Sequence, residues 1–390
     1  MGLHGARMPD PLRRYSLFYF WYYAGLGALT PYISRFMESL GHNGHVIGWV
    51  WSMWYGSRVI GPPVWTAVLA RSRHPGWLLV FGSLLTLLAC VGFTTFHGAL
   101  GLCVTMALFG LAVNPLLPQF EAMTLAALGD RRDEYGRIRL WGSIGFLLVA
   151  SSYGWLLDRL GDWSFPWLVL PLYVLALATA LLHRHARPPQ DERPHPDFAQ
   201  LLRRPGIPRF LLMALLMQVG FGAFYLFYTL HMQAAGHDGL TVGLLWGSGV
   251  VSEIAMFWWM PRLFARHDAG RLLSFCLAVT VLRWTLTALY PAVLVLMFAV
   301  QLLHAFSFAV FHACCMRQMS QSFTGREAAV GQGLLYSVSS GVGGVLGSLL
   351  ASRLWDARGG SVAFFAAAAV VGAAWLVYAL RPATTAPAAG

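Results

Sequence analysis

The sequence predicts an all-α polytopic membrane protein with twelve transmembrane helices in two pseudo-symmetric six-helix halves. Hydrophobic residues make up 57% of the chain and charged residues only 11%, with a mean hydropathy of +0.58, which is not the balance of a soluble domain. Apolar runs of about 20 residues, enough to cross roughly 30 Å of hydrocarbon, recur along its length. The chain also matches itself at an offset of 195 residues.

In order, the runs lie near 15–36, 46–68, 76–96, 99–126, 138–157, 164–183, 208–232, 241–261, 271–290, 292–316, 328–352 and 361–380. The first is too long for the apolar region of a cleavable signal and carries Pro31 and Arg35 where small residues would mark a cleavage site. It is expected to stay in the membrane. Polar groups interrupt the fourth and tenth runs. In the fourth, Pro115 and Pro118 of NPLLPQFE (114–121) should bend the helix and free backbone carbonyls. The polar connection 184–207, with prolines 188, 189, 194, 196 and 205, reads as a cytoplasmic linker between a half at 1–183 and a half at 208–390. It has room for at most a short surface helix at Phe198–Leu202. The five cysteines (Cys90, Cys103, Cys276, Cys314 and Cys315) fall inside runs without metal-ligand spacing and read as buried apolar residues.

All 27 basic residues are arginine, and with the N-terminus placed in the cytoplasm about 21 fall on cytoplasmic segments. Both termini are therefore expected in the cytoplasm. The net charge of +11 is spread over short loops instead of forming one patch, which excludes nucleic-acid binding.

The repeat is specific at the residue level. GHNG at 41–44 aligns with GHDG at 236–239, Gly48 with Gly243, Trp51 with Trp246, Ser57 with Ser252 and Arg71 with Arg266. Arg58 falls opposite Glu253. Two six-span halves in parallel relation resemble the arrangement of major facilitator transporters, whose substrate and coupling sites lie near the midplane. The basic loop that such proteins carry after the second span of each half is decayed here, to LARSRHPG at 69–76 and PRLFARHDAG at 261–270. Arg71, Arg73, Arg262 and Arg266 either tie helix ends together or simply set topology.

Charges inside the spans mark the candidate site, because an ionisable group at bilayer depth costs several kcal/mol and survives where it faces a bundle interior or a water-filled cavity. They are Arg58, Glu121, Glu253 and Arg283. YGRIRLWGSIGF at 135–146, QAAG at 233–236, GVVSE at 249–253, LRW at 282–284 and LLHAFSFAVFHA at 302–313 resemble the bacterial 3-phenylpropionate permease family, a relative of the lactose permease type of proton symporter. That resemblance implies twelve helices, alternating access and uptake of a small organic solute with a proton across a bacterial inner membrane. It also implies a glutamate, an arginine and a histidine in the eighth, ninth and tenth helices, matched by Glu253, Arg283 and His304. The relatives' carboxylate three residues beyond the histidine is replaced by Ser307.

On chemistry alone, Glu253 is the acidic group at mid-depth. A buried carboxyl is raised by desolvation and lowered by a nearby guanidinium, so movement of Arg283 toward or away from Glu253 would release or take up a proton. A permanent Glu253–Arg283 bridge is the structural alternative. His304 either relays the proton or makes an interhelical hydrogen bond, and His312 reads as structural. Glu121 with Arg137 or Arg139 forms either a solute contact, as the resemblance implies, or a cytoplasmic latch. Arg58 calls for an anion, which is either a substrate carboxylate suited to its planar fork or Glu253 across the halves. Trp51, Trp54 and Tyr55 beside Arg58, and Gln218, Phe221, Phe224, Tyr225 and Tyr228 on the seventh span, could line a flat apolar solute.

No phosphate-binding glycine loop, GxSxG or HExxH is present, so neither an enzyme nor an ATP-driven pump is expected, and no cofactor or metal. Gly343 and Gly344 read as close-packing residues. The expected function is proton symport of a small organic anion, an aromatic carboxylate, by a monomer whose partners are the solute, protons and lipid. The alternatives are a symporter for a neutral sugar or nucleoside, a drug/proton antiporter and a non-transporting sensor.

Overall fold

The computed structural model describes residues 10–186, 202–323 and 326–380. The prolines 188, 189, 194 and 196 and the surface helix expected at Phe198–Leu202 fall largely outside them. Among the described residues the chain is helical throughout, without strands.

The helical segments in order are α1 (Asp10–Ser39), α2 (Gly44–Arg71), α3 (Pro75–Thr95), α4 (Ala99–Leu128), α5 (Arg132–Leu160) and α6 (Asp162–Leu181). They continue as α7 (Ile207–Ala234), α8 (Gly239–Arg266), α9 (Ala269–Leu289), α10 (Leu294–Ser322), α11 (Val330–Arg358) and α12 (Gly360–Ala379). Of the twelve spans expected, ten, α3 to α12, are both long and apolar enough to cross a membrane. Helices α1 and α2 have the length, 30 and 28 residues, but fall short in hydropathy. Tyrosines and tryptophans dilute α1, and His45, Arg58 and the Pro62-Pro63 pair dilute α2. Apolar side chains dominate the outer surface elsewhere, with Val295 82% and Leu100 80% exposed, as suits a lipid solvent.

The described residues group into two compact units. One holds α1–α6 together with Gly236–Gly247, and the other holds α7 and the chain from Ser248 onward. In the first, α1 packs on α5 and α6, and α3 on α4 and α6. In the second, α7 packs on α11 and α12, and α9 on α10 and α12, the same set of neighbours displaced by six helices.

The repeated GH(N/D)G segment is a turn followed by a helix cap. Gly41 and Gly236 both take the left-handed backbone (φ 84° and 94°) that glycine adopts without strain. Two residues on, Asn43 accepts from the Val46 N–H at 3.2 Å, and Asp238 accepts from the Thr241 N–H at 2.8 Å. Each bond satisfies an N–H that the start of α2 or α8 would otherwise leave open. Both bonds of Thr241 to Asp238 hold its carboxyl below the ordinary range.

Helix α8 opens on α5 through glycines. A Cβ added at Gly154 would lie 2.0 Å from the Gly239 carbonyl oxygen, and one at Gly243 would lie 2.6 Å from that of Ser151. Asp158 Oδ2 accepts from the Gly239 N–H at 2.7 Å while its Oδ1 stands 2.8 Å from Arg35, which also pairs with Asp162 at 2.6 Å. The carboxylate sits at the positive end of α8. In the second unit Gly343 and Gly347 meet the carbonyls of Leu215 and Val219 on α7 at 2.8 and 2.6 Å, measured to an added Cβ, so the close-packing role expected for Gly343 holds.

Candidate functional site

The second unit concentrates buried polar side chains where α8, α9 and α10 meet. Arg283 on α9 is fully buried, with its guanidinium carbon 4.6 Å from the Phe224 ring centre and 4.5 Å from that of Trp284. Its Nη1 lies 2.7 Å from His304 Nδ1 and donates to Ser307 Oγ at 2.9 Å, and its Nη2 donates to Gln301 Oε1 at 2.6 Å. His304 Nε2 in turn lies 2.6 Å from Glu253 Oε1 on α8.

Local backbone explains how one helix presents three such groups. Helix α10 is interrupted at Leu303, whose carbonyl accepts from both Phe306 and Ser307, and continues as a π-helix over Ala305–Val310. The wider turn carries His304 and Ser307 to Arg283 alongside Gln301 from the preceding α-helical piece. Gly249, one turn before Glu253, lies beside the His304 ring, where an added Cβ would be in ordinary contact at 3.4 Å.

Hydrogen-bond chemistry then sets the state of the chain. A guanidinium only donates, so His304 Nδ1 accepts, and the proton of the neutral imidazole stands on Nε2. That N–H donates to Glu253, which is therefore an acceptor. The direct Glu253–Arg283 pair considered from the sequence is corrected: the imidazole stands between them, because α10 places His304 in the gap between α8 and α9.

In the first unit Arg58 lies over the rings of Trp54 and Tyr55, 5.2 and 5.1 Å from their centres. Trp51, Trp54 and Tyr55 are all buried. Trp51 donates to Ser34 on α1 at 3.0 Å, and Trp54 stacks on Phe109 of α4 at 5.7 Å, so both have packing roles. Beside Arg58, Ser57 receives a 2.8 Å bond from Asn114, the residue at which α4 breaks ahead of Pro115. The helix is interrupted at Asn114–Pro115, the first of the two prolines expected to disturb it.

Closer to the Arg-rich ends, Glu121 accepts from the Tyr135 hydroxyl at 3.1 Å and stands 3.8 Å from Arg139, whose guanidinium lies over Tyr23 at 4.1 Å and bonds its hydroxyl. Of the two arginines considered, Arg139 approaches Glu121 and Arg137 is exposed. On α7, Gln218 lies against Gly343, Tyr225 stacks on Phe221 at 5.7 Å, and Tyr228 is buried against Phe224 at 5.0 Å. His312 is on an exposed face, and Arg71, Arg73, Arg262 and Arg266 are exposed without ion pairs among the described residues.

Gln301, Asn114 and the Arg35–Asp158–Asp162 cluster escaped sequence reasoning. Gln301 and Asn114 are uncharged, so a search for ionisable groups passes over them. The signal was present as polar residues inside the two interrupted runs, α4 and α10. All five cysteines are free thiols, and among the described residues no group of three or more His, Cys, Asp or Glu is arranged to hold a metal ion.

Residues 12–366 match the MFS_1 like family. The probable 3-phenylpropionic acid transporter of Escherichia coli (strain K12) is 29% identical over 317 residues, 78% of this chain and 81% of that one. The maltose permease of Geobacillus stearothermophilus is 25% identical over 291 residues, 71% of each. The crystal structure of the nucleoside transporter NupG superposes with a TM-score of 0.80 at 15% identity, covering 95% of this chain and 98% of that one, a likeness of fold.

Proposed function

The chain belongs to the MFS_1 like family of membrane transporters, and on that premise we propose that it is a proton-coupled symporter importing a small organic anion, an aromatic carboxylate of the phenylpropionate kind. It works by alternating access, as a monomer in a bacterial inner membrane with both termini in the cytoplasm. The observation that carries this reading is the chain Arg283–His304–Glu253, in which the arginine and histidine are buried.

Its proton chemistry follows from which atoms are free. A proton arriving at His304 Nδ1 would have to displace Arg283, whereas one arriving at Glu253 Oε2 leaves both bonds geometrically intact. Glu253 is thus the group that takes the proton. Once neutral, it accepts more weakly from the His304 N–H, since bonds to an ionised acceptor are roughly twice as strong as neutral ones. The link between α8 and α10 loosens. Protonation thereby biases which arrangement of these helices prevails, which is what coupling requires.

The solute class is supported by the 29% identical relative and by Arg58 with its aromatic neighbours Trp54 and Tyr55. Glu121 and Arg139, with Gln218, Tyr225 and Tyr228, complete the proposed solute-contacting set. The test uses purified protein in proteoliposomes with an acidic exterior. Accumulation of 3-phenylpropionate, with alkalinisation of the external medium during uptake, is the expected result. Uptake that only equilibrates, or proton movement opposite to the solute, would exclude symport.

The maltose permease relative favours a second reading, a symporter for a neutral sugar. Competition decides: inhibition of uptake by aromatic acids supports the first reading, and inhibition by sugars alone supports the second.

A further inference from the structure

We propose that Gln301 is a positioning residue of the coupling site, holding Arg283 so that the guanidinium serves His304 and not Glu253. The inference rests on the coupling reading above but is argued from the geometry of α9 and α10. Arg283 and Gln301 are 0% and 1% exposed, so neither has water to fall back on. The 2.6 Å bond from Nη2 to Gln301 Oε1 fixes one end of the planar guanidinium, and the planarity then aims Nη1 at His304 Nδ1 and Ser307.

Gln301 is also placed to do this independently of His304. It lies on the α-helical piece Leu294–Leu302, before the interruption at Leu303, whereas Ser307 belongs to the π-helical piece beyond it. Arg283 therefore spans two separately held pieces of α10. The Gln301 side chain also meets Tyr228 of α7, which holds it in place beside Arg283.

Removing the Gln301 oxygen leaves a buried charge short of an acceptor. Of the charged and titratable groups near it, Tyr225 and Tyr228 come from α7, His304 from α10 and Glu253 from α8. Glu253 is the single anion among them, and it attracts the released guanidinium. A direct Arg283–Glu253 bridge then forms, His304 Nδ1 loses its donor, and the imidazole is free to change tautomer. The relay becomes a static pair.

The experiment compares wild type, Gln301→Met and Gln301→Glu as full chains in proteoliposomes. Methionine keeps the volume without a strong acceptor, and glutamate restores an acceptor at the same place. Gln301→Met is expected to lose accumulation driven by a pH gradient about tenfold or more, the scale of one hydrogen bond to a charged group, while retaining solute exchange. Gln301→Glu should recover most of that accumulation. The second readout is nitrogen-15 NMR of labelled histidine. Wild type and Gln301→Glu should show an unprotonated His304 Nδ1, and Gln301→Met a mixture of tautomers.

Three results would overturn the proposal: normal accumulation in Gln301→Met, no rescue by Gln301→Glu, or a protonated Nδ1 in wild type. The last needs no folded variant. Wild-type vesicles that fail to accumulate solute on a pH gradient would instead retire the coupling reading, leaving the histidine signal to judge Gln301 alone.

Discussion

Glu253 is the acceptor end of a three-membered chain, and replacing its carboxylate by an amide separates binding from coupling. Glu253→Gln keeps an oxygen for the His304 N–H but cannot carry the proton. Solute exchange should persist and pH-driven accumulation should disappear, as read in proteoliposomes, and wild-type accumulation would refute the assignment. Arg283 tests the pairing from the other end. Arg283→Ala removes the donor to His304, Ser307 and Gln301 and leaves Glu253 without a nearby cation, so it should lower the unfolding temperature. Arg283→Ala combined with Glu253→Gln should be milder, measured by thermal unfolding of the purified variants. Equal losses would mean that the two charges do not communicate through His304. Arg58 carries the prediction on solute charge. Arg58→Gln should weaken binding of an aromatic acid by about 1.5–3 kcal/mol, the scale of a hydrogen bond to a charged group, with little effect on the methyl ester. Arg58→Lys should recover part of the loss, because an ammonium lacks the planar fork. Calorimetry of folded variants reads both, and equal losses for acid and ester would make Arg58 structural.

Helices act here through where they break and where they touch. The interruption of α4 at Asn114 was legible, because Pro115 and Pro118 cannot continue a regular ladder. The corresponding interruption of α10 was not, since Leu303 and the π-helical Ala305–Val310 contain neither proline nor glycine. Contact between α5 and α8 depends on missing side chains. Gly154→Ala would drive a methyl to within 2.0 Å of the Gly239 carbonyl oxygen, and overpacking of this kind costs about 1–3 kcal/mol. A lower melting temperature for Gly154→Ala than for Gly372→Ala, which meets nothing within 4 Å, is the expected outcome. The two acceptors at the start of α8, Asp158 and Asp238, make this end of the helix well satisfied before the contact is disturbed.

Across the whole chain, the arginine distribution makes a claim that a tag can check. Epitopes fused to the first and last residues should both be cleaved by protease from the cytoplasmic side only, and cleavage of either from the opposite face would reverse the orientation drawn from the basic loops. The apolar composition, the run lengths, the self-match at 195 residues and the placing of Glu253, Arg283 and His304 inside apolar runs were determined by the sequence alone. Each depends on hydropathy, length or spacing along one stretch of chain, so no distant residue can alter it. The shortfall of α1 and α2 in hydropathy belongs with these, since their tyrosine, tryptophan and proline content is equally local. A place in a run, however, leaves each helix free to rotate about its axis. Only the tertiary structure decided that His304 stands between Arg283 and Glu253, that Gln301 and Ser307 share the guanidinium, and that Arg139 and not Arg137 faces Glu121. The physical reason at the Arg283 site is that the rotation of α10 is set by packing of His304 against Phe221 and Phe224 of α7, residues far from it in sequence and adjacent only after folding.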